Sequence, residues 1–310
     1  MPYLKAAEIL KAIGAIEISA SSIWRRVERW GEQIQKVEKR QQVKAYELIE
    51  PQPHDPNRSL GPMGVAMDGT TMHIREEGWK ELKVGTVYEV GKRLQQDVKT
   101  QEEIPLGSAK NTTYVAHLGG PETFGRQVWA EARQRNWMDA VDTQVIGDGA
   151  AWIWNLASEH FYASHQTLDW FHACEHLAAA AQILYAGDAQ RKRWYRRWRN
   201  KLYQGQVHKL IKALKAQAAR QPTKADELQV QITYFQNNKK RMNYLEMRVE
   251  GYPIGSGMVE SAAKQFKARF CGSGMHWSRT GSERLIPVRS AILSRRFDKI
   301  WQLAYNSPQD

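Results

Sequence analysis

The sequence has 310 residues, of which 42% are hydrophobic and 25% charged, and its formal net charge is +12 at pH 7. No apolar run approaches the roughly 20 residues that a bilayer crossing needs, which excludes a membrane protein, and MPYLKAAEILKAIG carries no secretory pattern, so a cytoplasmic location is expected. Two cysteines exclude a disulfide framework, whereas the basic excess favours nucleic acid as the partner.

The N-terminal segment, residues 1–49, is predicted to contain two helices. Residues 3–13 have apolar side chains at helical spacing and stop at a glycine, and residues 20–42 follow with two serines at their start. Two helices joined by a short turn resemble a helix-turn-helix, with a plain helical hairpin as the alternative. In the DNA-binding interpretation the second helix exposes Ser21, Ser22, Arg25, Arg26 and Arg29.

Residues 50–62 are rich in proline, asparagine and glycine, which predicts a linker. The texture after it is typical of strands, because VAMDGTTMHI, LKVGTVYEVGKR and TTYVAHLG are rich in β-branched and aromatic residues. The polar span 92–111, between the second and third of these runs, is predicted to be a loop.

A helix over 121–136, a strand over 143–148, a helix over 149–161 and a strand over 164–171 complete an α/β pattern. Three strands in series, followed by helix, strand, helix and strand, are the element order of a ribonuclease-H-like fold. The predicted fold class is therefore α/β, a ribonuclease-H-like mixed sheet of order 3-2-1-4-5. Its first part covers residues 63–170.

Residues 171–250 are helical in character throughout and are predicted to form an all-helical insertion. Residues 251–310 would then complete the catalytic core, with a helix after the Gly-Ser-Gly of GSGMVESAAKQF and a last helix over about 282–303.

One predicted helix of the insertion carries arginines beside tryptophans, in WYRRWR. This pattern suits a surface that binds nucleic acid by charge and stacking, and it equally suits an amphipathic helix whose tryptophans face the core. The arginines concerned are Arg196, Arg197 and Arg199.

Three acidic residues stand out in this layout. Asp68 and Asp148 end predicted strands and are followed by glycine, and Glu260 opens a predicted helix. Carboxylates that converge from separate elements are suitable ligands for a pair of Mg²⁺ or Mn²⁺ ions. The alternative for each aspartate is a simple Asp-Gly turn.

The stretches VAMDGTTMHIR, VIGDGAAWIWN, LDWFHACEHL and YPIGSGMVESAAKQFKARFCGSGMHW resemble those of DDE transposases of bacterial insertion sequences, in the ISKra4-like group. The resemblance covers about residues 60–295. It implies that Asp68, Asp148 and Glu260 are the catalytic, metal-binding triad of an enzyme that cuts and rejoins double-stranded DNA at insertion-sequence ends. It also implies a homo-oligomer on paired DNA ends.

The resemblance also extends to a motif after the second aspartate. Related transposases often carry Cys/Asp-x-x-His there, and Asp169-Trp-Phe-His172 matches it. His172 is therefore expected beside the scissile phosphate, with Asp169 positioning it.

One departure from the group concerns the N-terminal region, which is longer in most such transposases. A shortened end-binding region could leave catalysis intact and impair recognition. A catalytically inactive or domesticated DNA-binding derivative is accordingly the main alternative function.

A zinc site is a further alternative. His172-Ala-Cys-Glu175-His176 fits the H-x-x-E-H pattern of a metallopeptidase, in which Glu246 or Glu250 would be the third ligand and Glu175 the general base. A structural zinc could instead use His172, Cys174, His176 and Cys271. The metallopeptidase does not account for the basic charge, for Asp68 and Asp148, or for the predicted helix that carries Glu260.

Basic and aromatic residues follow the third acidic residue. Lys264 and Lys267 lie within two helical turns of Glu260 and could bind DNA phosphates, although a solvated helix face explains them almost as well. The other candidates for DNA contact in this region are Arg269, His276, Trp277 and Arg279.

Overall fold

The computed structural model describes residues 3–47, 61–96, 103–272 and 275–306. The strands are β1 (Met63–Ile74), β2 (Gly78–Gln96), β3 (Glu103–Leu118), β4 (Thr143–Gly147) and β5 (His165–Leu168). The helices are α1 (Tyr3–Gly14), α2 (Ala20–Glu47), α3 (Pro121–Gln134), α4 (Ala151–His160), α5 (Trp170–Leu184), α6 (Asp188–Tyr203), α7 (Val207–Arg220), α8 (Ala225–Asn238), α9 (Tyr244–Glu250), α10 (Gly257–Phe270), α11 (Arg279–Leu293) and α12 (Phe297–Tyr305).

The five strands form one mixed sheet in the order β3-β2-β1-β4-β5, which confirms the predicted order. β1 pairs antiparallel with β2, and β2 pairs antiparallel with β3. β1 pairs parallel with β4, and β4 pairs parallel with β5. The carboxyl ends of β4 and β5 therefore meet at one edge of the sheet, beside the middle of β1, which continues to Ile74. The prediction that Asp68 ends a strand is wrong, because Asp68 lies within β1, opposite Val84 of β2.

Both faces of the sheet are covered by helices. Successive side chains of a strand point to opposite faces, so Val65 packs with Phe124 of α3 and other residues on one side. Its neighbour Ala66 packs on the other side with Ile146 of β4 and Phe266 of α10. The face that α10 covers is the one that carries the candidate site.

The helical segment 170–250, formed by α5 to α9, continues the first of these cores. Leu177, Leu210, Leu228 and Phe235 are buried and belong to the same apolar cluster as Val65. The segment is thus packed onto the sheet through a shared core. None of the described helices combines the length and apolar character that a membrane crossing requires.

The long helix α2 packs against α11, α12 and α3. Ile34 and Val37 are buried against α12 and α11, and Arg284 of α11 forms ion pairs with Glu28 and Glu32. The two N-terminal helices are present as predicted, and their role as a helix-turn-helix stays a prediction. Residues 48–60, which include most of the predicted linker, lie outside the described residues.

The prediction of a loop over residues 92–111 is wrong wherever the structure describes them. β2 continues to Gln96, and it pairs with β3 from Leu82↔Leu118 to Gln96↔Glu103. Because Met63, the first residue of β1, pairs with Glu89, the strands run on beyond it as a two-stranded ribbon. Residues 92–96 are all exposed, so this ribbon has no alternation of apolar and polar residues to reveal it.

The prediction of a single last helix over 282–303 is also wrong. α11 ends at Leu293 and α12 begins at Phe297, and Arg295 between them has a left-handed φ of 54°. The turn redirects the chain so that Ile300 packs on Ile34 of α2. No glycine or proline marks this break, because burial of the α12 face compensates the backbone strain at an ordinary residue.

Candidate functional site

The sheet places three aspartates side by side where β4 and β5 end next to the middle of β1. Ala66 is level with Ile146 on β4, so Asp68 and Asp148, two residues further on, are level with each other. Gly147 is level with Leu168 on β5, so Asp169 is the next member of the same row. Residues two apart share a face, and this face is the one beneath α10.

Asp68 and Asp148 are each held by a nearby backbone amide. The Gly69 amide donates to Oδ1 of Asp68 at 2.7 Å, and the Ala150 amide donates to Oδ1 of Asp148 at 2.8 Å. Gly149, between Asp148 and Ala150, has a φ of 112°, a conformation that favours glycine. The glycine after Asp148 thus turns the chain away from β4 and leaves the carboxylate at the strand end.

Asp169 is fully buried and caps the start of α5. Its Oδ2 accepts from the backbone amide and from Nδ1 of His172, at 2.8 and 2.9 Å. Its Oδ1 accepts from the Ser256 amide at 2.6 Å. Burial opposes ionisation, but these hydrogen bonds outweigh it and lower the pKa of Asp169.

His172 is held in its cationic form by the same contact. The hydrogen bond to Asp169 raises the pKa of His172 to about 9, against an opposing effect of burial, and the negative charge of Asp148 adds to the rise. At neutral pH the site therefore contains a positive imidazolium with Nδ1 engaged by Asp169.

Glu260 reaches the row of aspartates from the first turn of α10. Its Oε1 accepts from the Ser256 hydroxyl at 3.1 Å. Ligand atoms of Glu260, Asp169 and His172 all lie within 4.8 Å of one another. Ser256 binds both Asp169 and Glu260 and so ties the entry of α10 to the end of β5.

The pKa of Asp68 reflects its burial and the charges of the groups around it. Burial, together with the charges of Asp148 and Glu260, raises the pKa of Asp68 to about 6. The Gly69 amide and His172 act in the opposite direction. The predicted triad is therefore gathered closely enough for its members to interact electrostatically.

Asp68, Asp148 and Glu260 would offer a metal only carboxylate oxygens, but among the described residues Asp68 and Asp148 are not in the group whose ligand atoms lie within 4.8 Å of one another. Asp169 and His172 lie close to Glu260, but both oxygens of Asp169 already accept hydrogen bonds. A protonated imidazole cannot ligate a metal either. The oxygen-only donor set suits a hard cation such as Mg²⁺ or Mn²⁺.

The H-x-x-E-H pattern has no zinc-like surroundings. Nδ1 of His176 lies 2.8 Å from Oε1 of Gln231, and its ring stacks on Tyr234. Over residues 3–47, 61–96, 103–272 and 275–306, the group of three potential ligands found is Asp169, His172 and Glu260. Apart from His172, the candidate zinc ligands are not in that group. They are Glu175, His176, Glu246, Glu250, Cys174 and Cys271.

The arginines predicted to bind DNA from α2 and α6 are exposed. On α6 the tryptophans face inward instead, since Trp198 is buried and Trp194 packs against the core. The alternative of a tryptophan core face is thus confirmed for α6, and stacking on these tryptophans is not available at the surface. The exposed arginines are Arg25, Arg26, Arg29, Arg196, Arg197 and Arg199.

The basic residues of α10 divide into two kinds. Lys264 and Lys267 are exposed, on the helix that carries Glu260. Arg269 is half-buried and lies over the rings of Tyr3 and Trp277, at 5.8 and 5.0 Å from their centroids. Only the two lysines present their charge to solvent.

Two of the three residues predicted for a DNA-contacting loop hold the fold together. The indole nitrogen of Trp277 donates to the Phe270 carbonyl at 2.8 Å. Arg279 forms ion pairs with Glu77 and Glu283 at 2.5 and 3.2 Å. His276 is exposed. Contact of these residues with DNA stays a prediction.

Two residues near the carboxylates were not predicted. Ser256 lies four residues before Glu260, a helical spacing that could have indicated the contact. Tyr234 of α8 donates its hydroxyl to the Asp148 carbonyl at 3.0 Å. No sequence signal indicates this second contact, because the partners are 86 residues apart.

No protein-family model matches the chain, and no curated protein matches it.

Proposed function

We propose that the protein is a DNA transposase that cleaves and transfers phosphodiester bonds with the help of two divalent metal ions. The observation that carries the proposal is the placement of Asp148, just after β4, beside Asp68 within the neighbouring parallel strand β1, with Glu260 approaching from α10. The sheet order and the element order agree with a ribonuclease-H-like core, and this fold is part of the proposal.

The metal site of the proposal consists of Asp68, Asp148 and Glu260. Mutual repulsion and burial keep the pKa of Asp68 at about 6, and a bound cation would relieve that repulsion. When bound, Mg²⁺ or Mn²⁺ neutralises charge on the phosphodiester and increases the acidity of water or of a 3′-hydroxyl. Amide hydrogen bonds to Asp68 and Asp148 fix the direction of the remaining oxygen lone pairs.

His172 supplies a positive charge beside the carboxylates. Asp169 holds Nδ1, so the other ring nitrogen, Nε2, is left to donate to a phosphate oxygen. A charge-assisted hydrogen bond of this kind stabilises an anionic oxygen more than a neutral donor does. The role that we assign to His172 is to orient the scissile phosphate, and the role of Asp169 is to orient His172.

The DNA-binding surface of the proposal consists of exposed cations. Arginines of α6 and lysines of α10 are exposed, and each phosphate that such a side chain neutralises releases counterions and favours binding. The net charge of +12 acts in the same direction at longer range. Binding of paired DNA ends by a homo-oligomer belongs to the same proposal.

The test is metal-dependent nicking of supercoiled plasmid DNA. We expect the wild type to nick DNA with Mg²⁺ or Mn²⁺ and Asp148→Asn to retain less than about 1% of that activity, because a metal ligand is weakened. Asp226→Asn, at an exposed position on α8, is the matched control and should nick like the wild type.

Three results would count against the proposal. Equal nicking by the wild type and Asp148→Asn would reject the role of Asp148. Salt-sensitive DNA binding without any metal-dependent nicking would favour the non-catalytic derivative. Loss of activity on zinc chelation in saturating Mg²⁺ would favour a zinc enzyme.

A further inference from the structure

Tyr234 of the helical segment touches the main chain of a proposed metal ligand. Its hydroxyl donates to the Asp148 carbonyl at 3.0 Å. The Asp148 side chain accepts from the Ala150 amide at 2.8 Å. The turn after β4 is therefore held at two points, and one of them comes from α8, far along the chain.

The Tyr234 ring also closes over the turn sterically. A Cβ built on Gly149 would lie 3.1 Å from Cε2 of Tyr234, 3.3 Å from Leu168 and 3.4 Å from Nδ2 of Asn238. Nδ2 of Asn238 donates to the Tyr234 carbonyl at 3.1 Å. Gly149 thus lies in a space that α8 and β5 enclose on several sides, and a side chain added at this position would press against them.

The ring itself is fixed by a neighbour on α5. His176 stacks on Tyr234 with centroids 3.4 Å apart and planes inclined by 15°. Nδ1 of His176 lies 2.8 Å from Oε1 of Gln231, one turn before Tyr234 on α8. A side chain held by such a stack loses little further freedom when its hydroxyl binds, which favours a precise hydrogen bond.

We propose that Tyr234 is a positioning residue, which through its hydroxyl holds the Asp148 main chain and so orients the Asp148 carboxylate for metal binding. The inference rests on the proposed function, in which Asp148 is a metal ligand. Groups that hold a metal ligand in place commonly contribute about 10- to 100-fold to metal affinity or activity. The helical segment thereby has a role at the metal site in addition to any contact with DNA.

Tyr234→Phe removes the hydroxyl and keeps the ring stacked on His176, so it tests the hydrogen bond separately from the packing of the ring. Tyr185→Phe is the matched control, because Tyr185 lies in the same helical segment and packs on Trp194 of α6, away from Asp148. Urea unfolding of both variants checks that each is folded. Gly149→Ala disturbs the same turn from the opposite side and serves as a second variant.

The first measurement is amide hydrogen exchange of peptides covering residues 146–153 in the metal-free protein. We expect faster exchange there in Tyr234→Phe and Gly149→Ala, and exchange like the wild type in Tyr185→Phe. Unchanged exchange in Tyr234→Phe would overturn the proposal, whatever the protein does with metal.

The second measurement is the dissociation constant for Mn²⁺ without DNA. We expect a value about 10-fold weaker in Tyr234→Phe than in the wild type or Tyr185→Phe. Faster exchange with unchanged Mn²⁺ affinity would reduce Tyr234 to a packing residue and overturn the positioning role. A wild type that binds no Mn²⁺ would contradict the proposed function and with it the metal-positioning role, whereas hydrogen exchange would still decide whether Tyr234 holds the turn.

Discussion

Carboxylates meet in two partly enclosed regions of the molecule, and the cation beside them differs. Between α2 and α3, Glu38 lines a cavity with Glu131. Glu131 accepts from Arg296 at 2.7 Å. At the sheet edge, the cation is His172, and it is paired with Asp169 instead of with the predicted triad.

The comparison shows how a protein can leave a place for a soluble cation. Burial raises the pKa of Glu38 to about 7, Glu131 adds to the rise, and Arg296 opposes it. Burial raises the pKa of Asp68 to about 6, and there the partly opposing cation is an imidazolium. An arginine is charged at every accessible pH, so Arg296 compensates negative charge at the helical pair, Glu38 and Glu131. The carboxylates at the sheet edge retain an excess of negative charge.

Replacing Arg296, the cation paired with Glu131, should have the largest effect on stability. Arg296→Met leaves Glu131, which is 6% exposed, without its ion pair, and we expect the free energy of unfolding to fall by about 3 kcal/mol. Urea unfolding measures this loss. The double variant Glu131→Gln/Arg296→Met should recover most of it, and an equal loss in both would show that the ion pair is not the cause.

Adding a soluble cation should stabilise only the sheet edge. Mn²⁺ at about 100 times its dissociation constant should increase the free energy of unfolding by about 2.7 kcal/mol. Asp148→Asn should lose most of this increment, and Glu131→Gln should keep it. Thermal unfolding with and without Mn²⁺ is the measurement, and an increment retained in Asp148→Asn would place the ion elsewhere.

The protonation of Glu38 should make the helical pair sensitive to pH. Its folded-state pKa is about 7, above the ordinary value of 4.5, so its contribution to stability is complete below 4.5 and lost as pH rises through 7. Relative to the wild type, Glu38→Gln should therefore gain about 2 kcal/mol of stability between pH 4.5 and pH 8.

Glu246→Gln, at an exposed position on α9, is the control for that experiment. Urea unfolding of the three proteins at both pH values gives the comparison. If Glu38→Gln and Glu246→Gln follow the wild type equally, the pKa of Glu38 is the same in the folded and the unfolded protein.

The smallest expected effect is the pH dependence of Mn²⁺ affinity. Protons compete with metal for the Asp68 carboxylate, whose pKa is about 6. The dissociation constant should accordingly be about 10-fold weaker at pH 5 than at pH 7.5. Calorimetric titration measures it, and Asp68→Asn should show weaker binding with a shallower pH dependence. Equal affinity at both pH values in the wild type would remove Asp68 from the ligand set.

Much of the central sheet could be predicted from local pattern. β1 and β4 appear in the sequence as short apolar runs followed by Asp-Gly, although β1 continues beyond Gly69 to Ile74. The placement of Asp68 and Asp148 follows directly from those runs. Asp169 follows from the next run and from its spacing to His172, which is the spacing of a helix cap.

The remaining features depend on tertiary contacts that leave no local pattern. The β2–β3 ribbon is solvated, so residues 92–96 lack the alternation that marks a strand. The break at Arg295 exists because α12 packs on α2. The contact of Tyr234 with Asp148 requires α8 to be folded onto β4, which spacing along the chain does not specify.

The ribbon meets the rest of the molecule at the chain segment that leads into α10. A Cβ on Gly107 would lie 2.2 Å from the carbonyl carbon of Tyr252, and one on Gly251 would lie 3.0 Å from Cε of Lys92. A few residues later this segment carries Ser256, which binds both Asp169 and Glu260. The ribbon therefore rests on the chain that enters the carboxylate site, and β2 extends about four residues, roughly 13 Å, beyond this contact to Gln96.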